Sequence, residues 1–147
     1  MEYNFLPTTD IKVSKICLGT MTWGRQNSVS EAFDQMNFSI DNGVNFFDTA
    51  ELYPVPATAD KYAVTEEIIG KWFNDSKKRE KVILATKIAG PGAYTAHIRK
   101  SGFKGNSIEE AVEGSLKRLN TDYIDLYQLH WPERITNTFG NRSFQYV

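Results

Sequence analysis

The chain has 147 residues, of which 41% are hydrophobic and 24% charged, and its formal net charge is −1. These values are typical of one globular domain of about 100–150 residues. The balanced charge argues against general attraction to nucleic acid or to an anionic membrane. One cysteine excludes an internal disulfide framework. No apolar run approaches the roughly 18 residues of a membrane span, and no signal-peptide pattern is present, so we expect a cytoplasmic protein.

The predicted elements alternate between short apolar runs and helical patterns, in which apolar residues recur at three- and four-residue spacing. In chain order they are a hairpin over residues 3–13, a strand over 16–20, a helix over 27–40, a strand over 44–47, a helix over 65–75, a strand over 82–86, a helix beginning at residue 107 and a strand over 123–129. Strands that are apolar on both faces and alternate with helices indicate parallel strands joined by right-handed crossovers.

The predicted helices begin at residues that are typical of helix caps. Ser28 or Ser30 is expected to cap the first helix, and Thr65 the second. Ser107 and Glu110 have the spacing of a capping box at the start of the third helix.

This βαβαβαβ pattern fits either an open doubly wound sheet or part of a (β/α)8 barrel. The segment 19–24 follows the first strand, but it lacks the G-x-G-x-x-G spacing of a dinucleotide-binding turn. Cys17 lies in the first apolar run and is predicted to be a small core residue. Long loops over 51–63 and 90–106 follow strands, on the side where parallel α/β proteins build their sites.

Four side chains that can exchange or stabilise protons follow the ends of three predicted strands. They are Asp48, Tyr53, Lys87 and His130. A tyrosine hydroxyl ordinarily ionises near a pH of about 10, but a neighbouring ammonium stabilises its phenolate, and a carboxylate keeps that ammonium charged and aimed. A histidine can orient a carbonyl group or share its proton. The set predicts general-acid reduction of a C=O bond, with the hydride supplied by a cofactor.

Two other chemistries fit the sequence less well. Asp48 and Glu51 would form a carboxylate pair for glycoside hydrolysis, but that reading leaves the tyrosine and the lysine without a role. His97 and His130 are too few for a metal site, so no metal is expected, and His97 is expected to lie in a solvated loop.

Several segments resemble the motifs of the aldo-keto reductases. Asp48–Tyr53, Ala85–Lys87 and Leu129–Pro132 have the residues and the spacing of that family's motifs. The same family is indicated by Leu6-Pro7, Leu18-Gly19-Thr20, Trp23-Gly24 and Asp122–Tyr127. The resemblance covers residues 3–132, and the long loop after Tyr53 is similar to that of the Tas-like bacterial subgroup.

The resemblance implies a (β/α)8 barrel that uses NADPH to reduce aldehydes or ketones to alcohols. Tyr53 would be the proton donor, with Lys87 and Asp48 tuning its ionisation, and His130 would orient the substrate. The remaining implied contacts are Gly19, Thr20 and Met21 near the nicotinamide, and Trp23, His130 and Trp131 near the substrate.

The length departs from the family pattern, because a (β/α)8 barrel needs about 250 residues. We therefore expect residues 1–147 to form a single partial barrel domain, the N-terminal half of a barrel with about four β-α units and an N-terminal hairpin. The chain would be truncated after the fourth strand, inside a polar loop over 133–147. Such a half-barrel exposes two strand edges and an apolar face, which favour self-association. The alternative to an enzyme is a truncated, non-catalytic homologue.

Overall fold

The computed structural model describes residues 1–133, so the predicted polar tail lies, apart from its first residue Glu133, outside the described residues. A two-stranded antiparallel hairpin precedes a parallel sheet whose strands alternate with helices. The elements are β1 (Tyr3–Phe5), β2 (Lys12–Ser14), β3 (Cys17–Gly19), α1 (Val29–Asp41), β4 (Phe46–Asp48), α2 (Val64–Ser76), β5 (Ile83–Ile88), α3 (Ser107–Leu119) and β6 (Leu126–Leu129). The order of elements is the predicted one.

The sheet consists of four parallel strands in the order β3-β4-β5-β6. Asp48 pairs with Gly19 on one side and with Ala85 on the other, and Lys87 pairs with Gln128. Because the strands are parallel and in sequence order, their carboxyl ends meet at one edge of the sheet. The arrangement confirms the prediction of part of a (β/α)8 barrel.

One face of the sheet packs against the helices in a single apolar core. Phe47 of β4 and Leu84 of β5 are fully buried in it. The other buried members come mainly from the helices and the loops beside them: Trp23, Ala32, Met36, Val44, Ile68, Ile69, Trp72, Phe73, Val82 and Leu119. Since successive side chains on a strand point to opposite faces, Asp48 and Lys87 lie on the face away from these helices.

Helices α2 and α3 approach each other closely at Gly70. A Cβ atom placed there would lie 2.1 Å from the backbone oxygen of Arg118, so only glycine fits the crossing. Beside it, the fully buried Glu66 accepts a hydrogen bond from Arg118 at 2.8 Å and one from Thr86 at 2.6 Å. In residues 1–133 no helix combines the length and the apolar character needed to cross a bilayer.

Helix α1 begins as predicted at one of the two candidate caps. The Ser28 hydroxyl accepts the backbone N–H of Glu31 at 3.2 Å, and the Glu31 carboxylate accepts the backbone N–H of Ser28 at 2.7 Å. This reciprocal pair is a full capping box, which satisfies two N–H groups that the helix itself leaves unpaired.

The caps predicted for the other two helices are wrong, because other carbonyl groups take their hydroxyl groups, a distant one for Thr65 and one in the preceding turn for Ser107. Helix α2 begins after Ala63, which has a left-handed backbone, and Thr65 lies inside the helix and donates to the Trp23 carbonyl at 2.8 Å. In α3, Ser107 is the first helical residue, and its hydroxyl donates to the carbonyl of Lys104 at 2.6 Å. Neither helix has a side-chain cap.

The core placement predicted for Cys17 is also wrong. Cys17 is exposed, because β3 is an edge strand of the described sheet and this face of the strand carries no covering helix. Its neighbours on the same face of β3 and β4 are Gly19, which is exposed, and Phe46, which is half-buried. An apolar strand sequence therefore does not ensure that both faces of the strand are buried, and in β3 the face that carries Cys17 is exposed.

Candidate active site

Four side chains that sequence analysis selected meet at the carboxyl end of the parallel sheet. Asp48 is the last residue of β4, and Lys87 lies one residue before the end of β5. His130 directly follows β6, and Tyr53 reaches the same place from the loop after β4. The parallel register brings together residues that are up to 82 positions apart along the chain.

The ammonium group of Lys87 lies at the centre of this cluster. Its Nζ atom donates to Asp48 Oδ2 at 2.7 Å and to the Thr49 carbonyl at 2.8 Å. The same atom lies 3.4 Å from the Tyr53 hydroxyl oxygen and 4.8 Å from the centre of the Tyr53 ring. The lysine is thus held by two oxygens while it faces the phenol, an arrangement in which its charge stabilises a phenolate.

Asp48 is fixed from two further directions. The amide of Gln128 lies 3.4 Å from its Oδ1 atom, and the Thr20 hydroxyl donates to its backbone carbonyl at 2.9 Å. Its side chain keeps 30% of its exposure, whereas that of Lys87 keeps 12%. Sequence analysis missed Gln128, although strand periodicity contained the signal: it lies two residues before His130 and therefore on the same face of β6.

Tyr53 is nearly buried, with 8% of its surface exposed. Its ring meets the imidazole of His130 edge-to-face, with 5.7 Å between ring centres. The ring belongs to a small apolar cluster that fills the space under the two long loops, made of Ala50, Leu52, Val55, Ala57, Ala89, Ile98 and Trp131. The phenol hydroxyl is therefore placed beside Lys87 by packing of its ring.

His130 is held in its neutral form. Its pKa is lowered to about 4, first by burial and second by the neighbouring Lys87 ammonium, while Asp48 acts in the opposite direction. Its Nδ1 atom is buried and has no hydrogen-bond partner in the described part of the chain. A neutral imidazole can donate one hydrogen bond without adding positive charge next to the lysine.

Trp131 lies beside the cluster. Its ring centre is 5.0 Å from that of His130, and its indole N–H donates to the Pro91 carbonyl at 3.0 Å. A Cβ atom at Gly90 would lie 2.2 Å from the indole, so the glycine makes room for this ring. The structure thus places the second of the two predicted substrate-contacting tryptophans next to Tyr53 and His130.

The structure does not bring Trp23 to the same cluster. Trp23 is 1% exposed, packs in the main core and donates its indole N–H to Gln35 at 2.9 Å. It has a packing role here, and its contact with a substrate stays a prediction.

The three residues predicted near a nicotinamide form an open ledge at the end of β3, beside Asp48. Gly19 is exposed, and no atom lies within 4 Å of the position that a Cβ would take. Met21 is 47% exposed, while Thr20 is buried and bonded to Asp48. A flat ring placed on Gly19 would have room and would lie next to the cluster, so these residues fit such a group sterically.

Glu51 is occupied by other groups and is not a free catalytic acid. Its side chain is 4% exposed and forms two bonds with Arg99, at 2.8 and 2.9 Å. Because both of its carboxylate oxygens are bonded to Arg99, Glu51 does not fit the role of second carboxylate that glycoside hydrolysis would need. Sequence analysis missed the role of Arg99, because no local pattern connects charges that lie 48 positions apart.

Comparison with known proteins agrees with this geometry. The aldo/keto reductase family model matches residues 15–142. Protein tas of Escherichia coli (strain K12) is 42% identical over 149 aligned positions, which cover 100% of this chain and 43% of that protein. The uncharacterized oxidoreductase YrpG of Bacillus subtilis (strain 168) is 45% identical over 141 positions, covering 92% of this chain and 42% of that protein.

A solved structure shows the same relationship. A putative aldo-keto reductase from Pseudomonas aeruginosa superposes with a TM-score of 0.68 at 29% sequence identity, covering 86% of this chain and 46% of that one. The chain therefore spans less than half the length of the relatives it matches. The match over most of its residues, together with the parallel sheet and the cluster at its carboxyl end, shows that this chain belongs to the aldo/keto reductase family.

Proposed function

We propose that this chain carries the proton-donating site of a carbonyl reductase that converts aldehydes or ketones to alcohols with NADPH. The observation that carries the proposal is the Lys87 ammonium, which lies 2.7 Å from the Asp48 carboxylate and 3.4 Å from the Tyr53 hydroxyl. A phenol beside a fixed ammonium is suited to give a proton to a developing alkoxide. The balanced charge and the single cysteine support a cytoplasmic location.

Each residue of the site has a separate task in this proposal. The Tyr53 hydroxyl donates a proton to the carbonyl oxygen, and Lys87 stabilises the phenolate that remains. Asp48 holds Lys87 in place and balances its charge. The neutral imidazole of His130 orients the carbonyl oxygen by a hydrogen bond, since its lowered pKa, about 4, keeps it unprotonated at neutral pH.

The cofactor assignment comes from the family, and the ledge at Gly19, Thr20 and Met21 supports it sterically. When bound, the reduced nicotinamide would supply the hydride for the carbonyl carbon. The hydroxyl of Thr20 donates to the backbone carbonyl of Asp48, so the segment that would receive the ring also fixes the backbone that carries the Asp48 carboxylate.

The proposal is tested by titrating the purified chain with NADPH while following the fluorescence of its three tryptophans. We expect saturable quenching, followed by oxidation of NADPH when simple aldehydes are added. Gly19→Val should abolish the quenching without loss of the circular dichroism of the fold, because the new side chain would occupy open space rather than displace neighbours. Absence of binding by the wild-type chain, or equal binding by Gly19→Val, would contradict the proposal.

A second candidate function is self-association of a non-catalytic homologue, and the sheet edges favour it. In residues 1–133 neither β3 nor β6 pairs with a further strand on its outer side. Ile16, next to β3, is 60% exposed, and Leu129 of β6 is 54% exposed. Two copies would supply the eight parallel strands that close a barrel. Light scattering over a range of concentrations tests this candidate, and a monomer at every concentration would exclude it.

A further inference from the structure

A buried ion pair connects the two long loops above the candidate site. Arg99, in the loop after β5, presents its two terminal nitrogens to the two carboxylate oxygens of Glu51, in the loop after β4. The exposed fractions of the two side chains are 13% and 4%. This forked geometry fixes both the distance and the orientation of the two groups, which a single hydrogen bond would not do.

Glu51 also continues the pairing of β4 with β5 beyond the end of the strand. Its backbone N–H donates to the carbonyl of Lys87 at 3.0 Å, and its carboxylate accepts the backbone N–H of Ala89 at 2.9 Å. The side chain therefore accepts an N–H group that a backbone carbonyl would accept in a continued parallel ladder. Through these two bonds Glu51 holds the backbone on both sides of Ile88 and fixes the residue that carries the central ammonium.

Tyr53 lies two residues after Glu51 in the chain. The Tyr53 N–H donates to the Ala50 carbonyl at 3.0 Å, so Glu51 lies within the turn that aims the phenol. The residue before Arg99, Ile98, packs against the apolar cluster that contains the Tyr53 ring. A second contact between the loops is the bond from the Ala57 N–H to the Tyr94 hydroxyl, at 2.7 Å.

We infer that Arg99 and Glu51 form a positioning pair that holds the Tyr53 hydroxyl against the Lys87 ammonium. Arg99 neutralises a carboxylate that is otherwise buried, and Glu51 passes this restraint to the Lys87 backbone and to the turn before Tyr53. Without Arg99, the carboxylate would turn toward water and release the Ala89 N–H, since an unpaired buried charge is costly. The inference rests on the proposed role of Tyr53, but its test measures ring geometry and not turnover.

The test uses NMR of chain labelled in its two histidines, His97 and His130. The His130 ring lies edge-to-face with Tyr53, so part of its chemical shift comes from the tyrosine ring. Tyr53→Leu removes that ring and defines the Tyr53-dependent part of the shift. In Arg99→Gln we expect most of this part to be lost, and Arg99→Lys should restore some of it, since it returns the charge but not the fork.

The matched control is Arg79→Gln, which breaks a comparably buried pair at the opposite end of the same sheet. Arg79 lies 2.9 Å from Asp125, and their side chains are 12% and 14% exposed. We expect Arg79→Gln to leave the Tyr53-dependent shift of His130 unchanged. His97 provides an internal control, because its ring contacts Tyr62 with 6.0 Å between centres and lies two residues before Arg99.

The outcomes separate this inference from its alternatives. If the His130 shift in Arg99→Gln equals that of the wild type, the inference is overturned. A change in the His97 shift without a change in the His130 shift also overturns it, because Arg99 would then only anchor its own loop. If Arg99→Gln fails to fold, Arg99→Lys decides, and an unchanged His130 shift in that variant overturns the inference. If the His130 shift responds to Arg99→Gln as expected but the wild-type chain reduces no carbonyl, the result would instead count against the proposed function.

Discussion

Acidification should destabilise the fold through His130. The pKa of this residue falls from its usual 6.5 to about 4, first because it is buried and second because Lys87 lies nearby. In the unfolded chain the imidazole takes up its proton at its ordinary pKa, but in the folded chain only near pH 4. The stabilisation is therefore fully present above a pH of about 6.5 and is lost as the pH falls toward 4.

The lowered pKa of His130 sets an upper limit on the stability that is lost on acidification. Each pKa unit corresponds to about 1.4 kcal/mol, so the change from 6.5 to about 4 amounts to at most about 3.5 kcal/mol. The ring is only partly buried, and screening by solvent reduces this value, so we expect about 1–2 kcal/mol. A loss of that size is a substantial fraction of the stability of a small domain.

The assay is urea unfolding of the wild type and of His130→Gln at several pH values from 7.5 down to about 4. Carboxylates titrate in both proteins, so the difference between the two isolates the histidine. We expect the stability of the wild type to fall by about 1–2 kcal/mol more than that of the variant over this range. His97→Gln, at an exposed histidine, is the matched control and should follow the wild type. A constant difference between wild type and His130→Gln at every pH would refute the reasoning.

Three further predictions concern packing, capping and the exposed thiol. Gly70→Ala should lower the free energy of unfolding by about 1–2 kcal/mol, because the clash with the backbone of Arg118 outweighs the gain in helix propensity. Gly114→Ala should cost less, because its new Cβ would lie 2.9 Å from a side-chain nitrogen of Arg118 and would not meet backbone; equal losses in urea unfolding would contradict this account. Ser28→Ala should cost about 1 kcal/mol of stability, whereas Ser30→Ala should cost little. A larger loss in Ser30→Ala than in Ser28→Ala would show that Ser28 is not the cap. Cys17 should react with Ellman's reagent slowly at neutral pH and faster as the pH rises, because partial desolvation and Asp48 raise its pKa to about 11; a rate independent of pH would contradict that.

The sequence was sufficient to predict the parallel sheet and the position of the cluster. Apolar strands separated by helices indicate parallel pairing, and parallel strands bring their carboxyl ends to one edge, where Asp48, Lys87 and His130 were expected to lie and do lie. Ser28 was predictable as one of two caps, because capping is local.

Interactions between distant residues could not be predicted in this way. The hydroxyl group of Thr65 was expected to cap a helix, but the Trp23 carbonyl, 42 positions earlier in the chain, lies within its reach. The cap predicted at Ser107 failed for a local reason, since its hydroxyl donates to the carbonyl of Lys104 in the preceding turn. The pairing of Glu51 with Arg99 likewise depends on how two long loops meet. The burial of Cys17 was predicted from its apolar strand, yet burial is set by what covers the strand in space.

The central claim is that Tyr53 delivers a proton to a carbonyl oxygen with the support of Lys87. The most direct measurement is the rate of carbonyl-dependent NADPH oxidation by Tyr53→Phe, compared with the matched variant Tyr62→Phe, each of which removes a single hydroxyl group. We expect Tyr53→Phe to lower the rate by about 100-fold or more, the typical contribution of a general acid, and Tyr62→Phe to act as the wild type. A Tyr53→Phe chain that reduces carbonyls as fast as Tyr62→Phe would contradict the assignment.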